Sequence, residues 1–247
     1  MQVDSTCQFG VTDEGADVDH VVAGFAAYGL AGLTAVDYLR ERLDLEPCGY
    51  VTTDDMPAIA PFEDGRPHHH TRILTHPDLD VAVLHGGLFI PNSAANGFTR
   101  AILDWTERAD VREVAVCSGV PVAHGPEDHR TFHVATRDYY NARLADADPP
   151  VPGMRNGFLD GVDAALVERG MTSDLAVGVY LTPVHDNVPD VDAAIRLVDT
   201  VTDRYDLDVD TGPLRAFAED VAAYYRQLRE RLEAMPNTER PEDRMFN

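Results

Sequence analysis

The run Asp80-Val81-Ala82-Val83-Leu84-His85-Gly86-Gly87 is apolar at almost every position of a strand-length segment. A strand with one wet face alternates apolar and polar residues. One without that alternation is covered on both faces, as in a parallel sheet between two layers of helices. Val111–Cys117 and Leu175–Leu181 read as further buried strands, and His20–Ala23 as another. Helical patterns separate them, at about Leu30–Leu43, Ala94–Ala109 and Leu159–Arg169. Strands alternating with helices of this length make βαβ units, so the chain is predicted to be an α/β layered fold.

The remaining elements fit that frame. Glu46–Thr52 reads as a strand, and the Asp64-Gly65 dipeptide marks a hairpin turn. Asp190, after Pro189, is expected to cap a helix running to about Tyr205. From Pro213 to about Met235 the residues Leu214, Phe217, Val221, Tyr224, Leu228 and Leu232 recur by threes and fours, the stripe of a long helix. Residues 1–18 are polar and acidic and are predicted to be a loose N-terminal extension. Residues 19–235 then form a single α/β domain including the C-terminal helices. Residues 236–247 form a flexible tail, with two prolines and alternating charge before Met245-Phe246-Asn247.

Charge narrows the partners. The formal net charge is -23, from 43 acidic and 20 basic residues. Every base is an arginine, and aspartate dominates the acids. On a folded surface of roughly 11,000 Å² this leaves about one uncompensated negative charge per 500 Å². Such a surface repels itself at low salt and is screened at high ionic strength. Lysine's long apolar stem is absent throughout, so the composition reads as adaptation to a salt-rich cytosol. The same field argues against nucleic acid and anionic membranes, which need basic patches. Three widely spaced cysteines, Cys7, Cys48 and Cys117, suggest neither a disulfide framework nor a zinc site. The acidic N-terminus does not read as a signal peptide. The longest uncharged run, Val21–Val36, is 16 residues with three glycines, short of a membrane span. The protein is expected to be cytoplasmic.

Gly24-Phe25-Ala26-Ala27-Tyr28-Gly29 begins like a phosphate-binding loop. That loop needs a lysine next, and Leu30-Ala31 stand there, so the segment reads as a tight βα turn with close helix packing, or as a weak anion site at the helix start. His68, His69 and His70 invite a metal, but no carboxylate or cysteine completes a set at a recognisable spacing. His124, Asp128, His129 and His133 follow a buried strand, and His85 ends another. Ligands of open α/β sheets bind beyond such strand ends. No nucleophile elbow and no zinc-protease motif accompanies them. No catalytic residue, cofactor or metal is assigned.

The C-terminus is the most pointed feature. Met245-Phe246-Asn247 places a hydrophobic residue, an aromatic and a terminal carboxylate on a charged leash. Phe246 suits an apolar slot, Met245 packs beside it, and the carboxylate pairs with a lysine or backbone donors. Several copies docking together would gain from effective concentration.

Several segments, in order, resemble the proteasome-assembly-chaperone family, specifically its archaeal members. They are Gly24-Phe25 through Gly29-Leu30-Ala31-Gly32-Leu33 with Tyr38-Leu39, Pro57 through Gly65-Arg66-Pro67, Leu84-His85-Gly86-Gly87, Ile102-Leu103-Asp104-Trp105, Val114–Pro121, and Thr182-Pro183 through Ala193-Ala194. The resemblance implies a three-layer α/β/α sandwich similar to purine nucleoside phosphorylases, with additional C-terminal helices. It also implies homotrimers or homotetramers, no catalysis, and binding to the α subunits of the 20S proteasome. In such proteins a hydrophobic–tyrosine–any ending enters pockets between α-ring subunits; Met245-Phe246-Asn247 matches with phenylalanine in the tyrosine position. Ala26-Ala27 stand where many relatives have Pro-Gly. The reading is a non-enzymatic proteasome chaperone or regulator of a salt-adapted archaeon. Two alternatives are a phosphorylase- or hydrolase-like enzyme for a nucleoside or small anion, with His85, Ser118 and His124 in one cleft, and a structural homo-oligomer with no proteasome contact.

Overall fold

The computed structural model describes residues 8–219, apart from 54, 55, 57, 123, 124, 126, 127 and 186–188. One unit extends to Asp210 and a second begins at Thr211. The centre of the first is a sheet of β2 (His20–Phe25), β7 (Val81–Gly86), β8 (Glu113–Val120) and β10 (Ala176–Pro183), all mutually parallel. Antiparallel strands extend both edges. They are β6 (Thr71–Thr75), β3 (Glu46–Thr53) and β1 (Phe9–Asp13) beyond β7, and β9 (Phe132–Ala135) beyond β10. The order is β1-β3-β6-β7-β2-β8-β10-β9. The short strands β4 (Phe62–Glu63) and β5 (Arg66–Pro67) make the hairpin expected at Asp64-Gly65.

Helices α1 (Ala31–Arg42) and α5 (Val191–Tyr205) pack together, as do α2 (Asn92–Arg108) and α4 (Gly161–Gly170). Between β9 and α4, the short helix α3 (Arg137–Tyr139) runs into a π turn at Tyr140–Leu144. Period-two alternation assigns the faces. Val21, Ala23 and Phe25 join Phe98, Ile102, Trp105 and Leu166 in one core, while Gly24, between them, abuts α1. The result is an α/β/α sandwich.

α1 approaches the sheet unusually closely. A Cβ on Gly32 would stand 2.0 Å from the Cys117 carbonyl oxygen, and one on Gly24 would stand 2.2 Å from the Gly32 oxygen. The glycines of the β2–α1 turn therefore serve packing. Gly29 also holds φ 62, with its carbonyl accepting from the Asp190 amide at the start of α5.

At the other end of the central strands, Glu113 is buried and held by Arg143, whose Nε donates to it at 2.9 Å. The Tyr205 hydroxyl donates to the same carboxylate. Tyr139 links the Tyr205 and Tyr180 hydroxyls at 3.1 and 3.0 Å. Burial pushes Tyr139 and Tyr205 well above the ordinary phenol range, so both remain protonated donors.

Three sequence expectations change. Within residues 1–18, Phe9–Asp13 form an edge strand, and Ala16 and Val18 are buried. Phe9 meets Phe98 edge-on at 5.4 Å, which anchors a segment that looks merely polar. Second, β7 is parallel only towards β2, and pairs antiparallel with β6. Third, β6 and β9 escape the sequence reading because Thr-Arg-Ile-Leu-Thr and Phe-His-Val-Ala are short and carry charge or histidine. Residues 212–219 are helical. The remainder of the long-helix reading, 220–235, and the whole tail lie outside the described residues.

Candidate functional site

The carboxyl ends of β2, β8 and β10 open into a cleft of about 970 Å³. In open α/β sheets this is where ligands bind, because the strands end and the helices that follow them begin there. Three helices start at its edge, α1 at Ala31, α2 at Asn92 and α4 at Gly161, and none has a side-chain N-cap. By contrast, α5 starts with the expected cap, Asp190 accepting from the Ala193 amide at 2.9 Å.

Ser118, at the end of β8, and Asp163, in the first turn of α4, meet in this cleft. Burial pushes the Asp163 carboxyl up to about 6, against a hydrogen bond with Ser118 and with the charge of Asp160 adding to the rise. Asn92 Nδ2 donates to Asp160 Oδ2 at 3.3 Å, tying the starts of α2 and α4 together. Cys117, next to Ser118, is no nucleophile here, since burial pushes its thiol up to about 12.

The sequence candidates are dispersed. His85 does not line the cleft; its Nε2 stands 3.4 Å from Asp37 Oδ1 of α1. That hydrogen bond, with the charges of His85 and Arg40, holds Asp37 below the usual carboxylate range despite partial burial. His124 lies outside the described residues. His129 faces His185 at 6.1 Å between ring centroids, and His185 Nδ1 bonds Asp190 Oδ2 at 2.8 Å. His133 Nδ1 instead bonds the Val151 carbonyl. Of the histidine triplet, His69 stacks on Tyr50 at 3.7 Å and His70 Nδ1 pairs with Thr71 Oγ1. No group of three metal-ligating His, Cys, Asp or Glu side chains occurs among the described residues. Met245, Phe246 and Asn247 lie outside them too.

Sequence reading missed Asp160, Asp163, Phe89 and Phe158. A signal for the two aspartates existed: Asp160-Gly161-Val162-Asp163 is an acidic helix start. The two phenylalanines stand singly in loops and carry none.

An open α/β sheet with its cleft at the strand ends defines a broad class of ligand- and partner-binding proteins. Residues 21–229 match the sequence profile of the PAC2 family, and the chain belongs to that family. Solved structures share the fold. PbaA of Pyrococcus furiosus, an archaeal homolog of proteasome-assembly chaperone, is 21% identical, with 91% of this chain and 93% of that one covered at a TM-score of 0.81. PbaB of the same organism, an archaeal proteasome activator, is 16% identical, with coverage of 90% and 99% and a TM-score of 0.73. The proteasome-assembly chaperone homologue of Mycobacterium tuberculosis is 21% identical, with coverage of 88% and 97% and a TM-score of 0.61. No curated protein sequence matches the chain. Among the described residues no helix is long and apolar enough to cross a membrane.

Proposed function

We propose that this protein is a proteasome-assembly chaperone or regulator that binds the α-ring of the 20S proteasome. Membership of the PAC2 family across residues 21–229 is the observation that carries the reading. Similarity of fold to PbaA and PbaB supports it. The α/β body presents the tail, and Met245-Phe246-Asn247 is the docking element, with Phe246 in an apolar slot and the terminal carboxylate on a cationic or backbone donor. A homotrimeric or homotetrameric body would offer several tails at once and raise avidity without new contacts. The role requires no cofactor and no chemistry. Affinity capture from native lysate at molar salt tests it. Enrichment of proteasome α subunits is the expected result, and their absence from the captured set contradicts the reading.

A further inference from the structure

Ten large hydrophobic residues stand exposed among the described residues, and five of them, Tyr28, Leu30, Phe89, Val122 and Phe158, line the one cleft. Phe158 is fully exposed and Phe89 is 66% exposed, so both meet water where a core residue would meet protein. Concentrated exposed apolar surface marks a binding site. The charge of this cleft is equally specific. Asp160 and Asp163 are the only charged side chains among its described lining residues. An anion would meet two carboxylates there.

We propose that the cleft binds an extended segment of another polypeptide in which apolar side chains flank a lysine or arginine. The apolar side chains would cover the aromatic rim, and the cationic head would reach the two aspartates. Amides at the uncapped starts of α2 and α4 are suited to backbone carbonyls of such a segment. A second copy of this chain fits poorly. Its acids outnumber its bases 43 to 20, so few of its segments carry the cation that Asp160 and Asp163 call for. The proposal is independent of the tail and of the proteasome.

The test is fluorescence anisotropy of the full chain with a fluorescein-labelled nine-residue peptide, Ser-Gly-Leu-Phe-Lys-Leu-Gly-Ser-Gly, at 0.2 M and 2 M KCl. Saturable binding is expected, and replacing the peptide's lysine by glutamate should weaken it at least about tenfold at 0.2 M KCl. The same change should matter less at 2 M, where the Debye length is only about 2–3 Å. Phe89→Ser with Phe158→Ser should weaken binding about tenfold or more at both salts, since buried aromatic anchors dominate such interfaces. Asp160→Asn with Asp163→Asn should remove the preference for lysine while retaining binding. Phe89, Phe158 and Asp160 are exposed in the cleft and Asp163 is half-buried in its wall, and an unchanged unfolding midpoint of the phenylalanine variant separates lost binding from lost fold. Absence of saturable binding, indifference to the peptide's charge, or unchanged affinity of the phenylalanine variant overturns the proposal. A sedimentation shift to smaller species in that variant also overturns it, because a second copy would then be the occupant.

Discussion

A Cβ placed on Gly32 would stand 2.0 Å from the carbonyl oxygen of Cys117, so the first helix rests directly on backbone of the central strand β8. The obstacle is main chain at the centre of a sheet, which cannot swing aside as a side chain would. Gly32→Ala should lower unfolding stability by about 3 kcal/mol or more, at the upper end of overpacking effects. Gly65→Ala, whose Cβ meets nothing within 4 Å, tests a different cost, that of φ 75, and should lose about 1 kcal/mol. Chemical denaturation of both variants in molar salt checks the contrast. Equal losses would contradict the close approach of α1.

The Glu113–Arg143 pair should behave as a buried ion pair. Its side chains are 6% and 21% exposed, and Tyr205 adds a second donor to the carboxylate. Arg143→Met leaves that carboxylate without its counter-charge and should cost on the order of 3 kcal/mol. Adding Glu113→Gln should recover part of the loss, because the remaining amide needs no counter-charge. A double-mutant cycle by urea unfolding reads the coupling directly.

Asp163 sets a pH dependence with a definite sign. Its carboxyl is raised to about 6 in the folded chain, above its ordinary value of 3.8. The folded state therefore holds a proton that the unfolded state has released. Stability from this group increases as pH falls from about 6 towards 4, and the ionised carboxylate is a liability above that window. Asp163→Asn should raise the melting temperature at pH 7.5 and should lose that advantage near pH 4. An advantage that persists unchanged at pH 4 would contradict the burial of this carboxyl.

Asp190 should show the opposite sign. Burial would raise its carboxyl, but hydrogen bonds from His185, the Ala193 amide and the His185 amide, with the charge of Arg196, hold it below the ordinary range. Its contribution is present above the ordinary pKa of 3.8 and fades as pH falls through the lower folded value. Asp190→Ala should cost about 1 kcal/mol near neutral pH as a lost N-cap, with Asp190→Asn recovering most of it. Circular dichroism melts at matched salt distinguish the two.

The net charge predicts a salt requirement. At 0.1 M the Debye length is about 10 Å, and at 1 M about 3 Å, so the mutual repulsion of a chain at -23 falls steeply between them. The unfolding midpoint should rise continuously from 0.1 to 2 M KCl. A flat or falling profile would show that the acidic surface is not what limits stability.

The parallel centre was legible because β2, β7, β8 and β10 are buried on both faces and therefore keep an apolar run that no other element imitates. Asp190 was legible as a cap because capping is local chemistry. The antiparallel strands β1 and β6 were not. Phe9 and Val11 of β1 have a wet face opposite them, and β6 carries a buried Arg72 in a five-residue strand. The cleft was hidden for a different reason. Tyr28, Phe89, Ser118 and Phe158 lie far apart in the chain, and only the sheet's topology brings them to one rim. Histidine clustering in sequence was correspondingly misleading: His85 turns to Asp37 and His133 to a carbonyl, away from any common centre.

The direct test of the central proposal is a binding titration of purified 20S proteasome with the native chain, with residues 245–247 deleted, and with Phe246→Tyr, at 2 M KCl. The account predicts saturable binding by the native chain, at least about a tenfold loss on deletion, and a gain for Phe246→Tyr of a few-fold, the worth of one added hydrogen bond. Equal affinity of the native and deleted chains would contradict it.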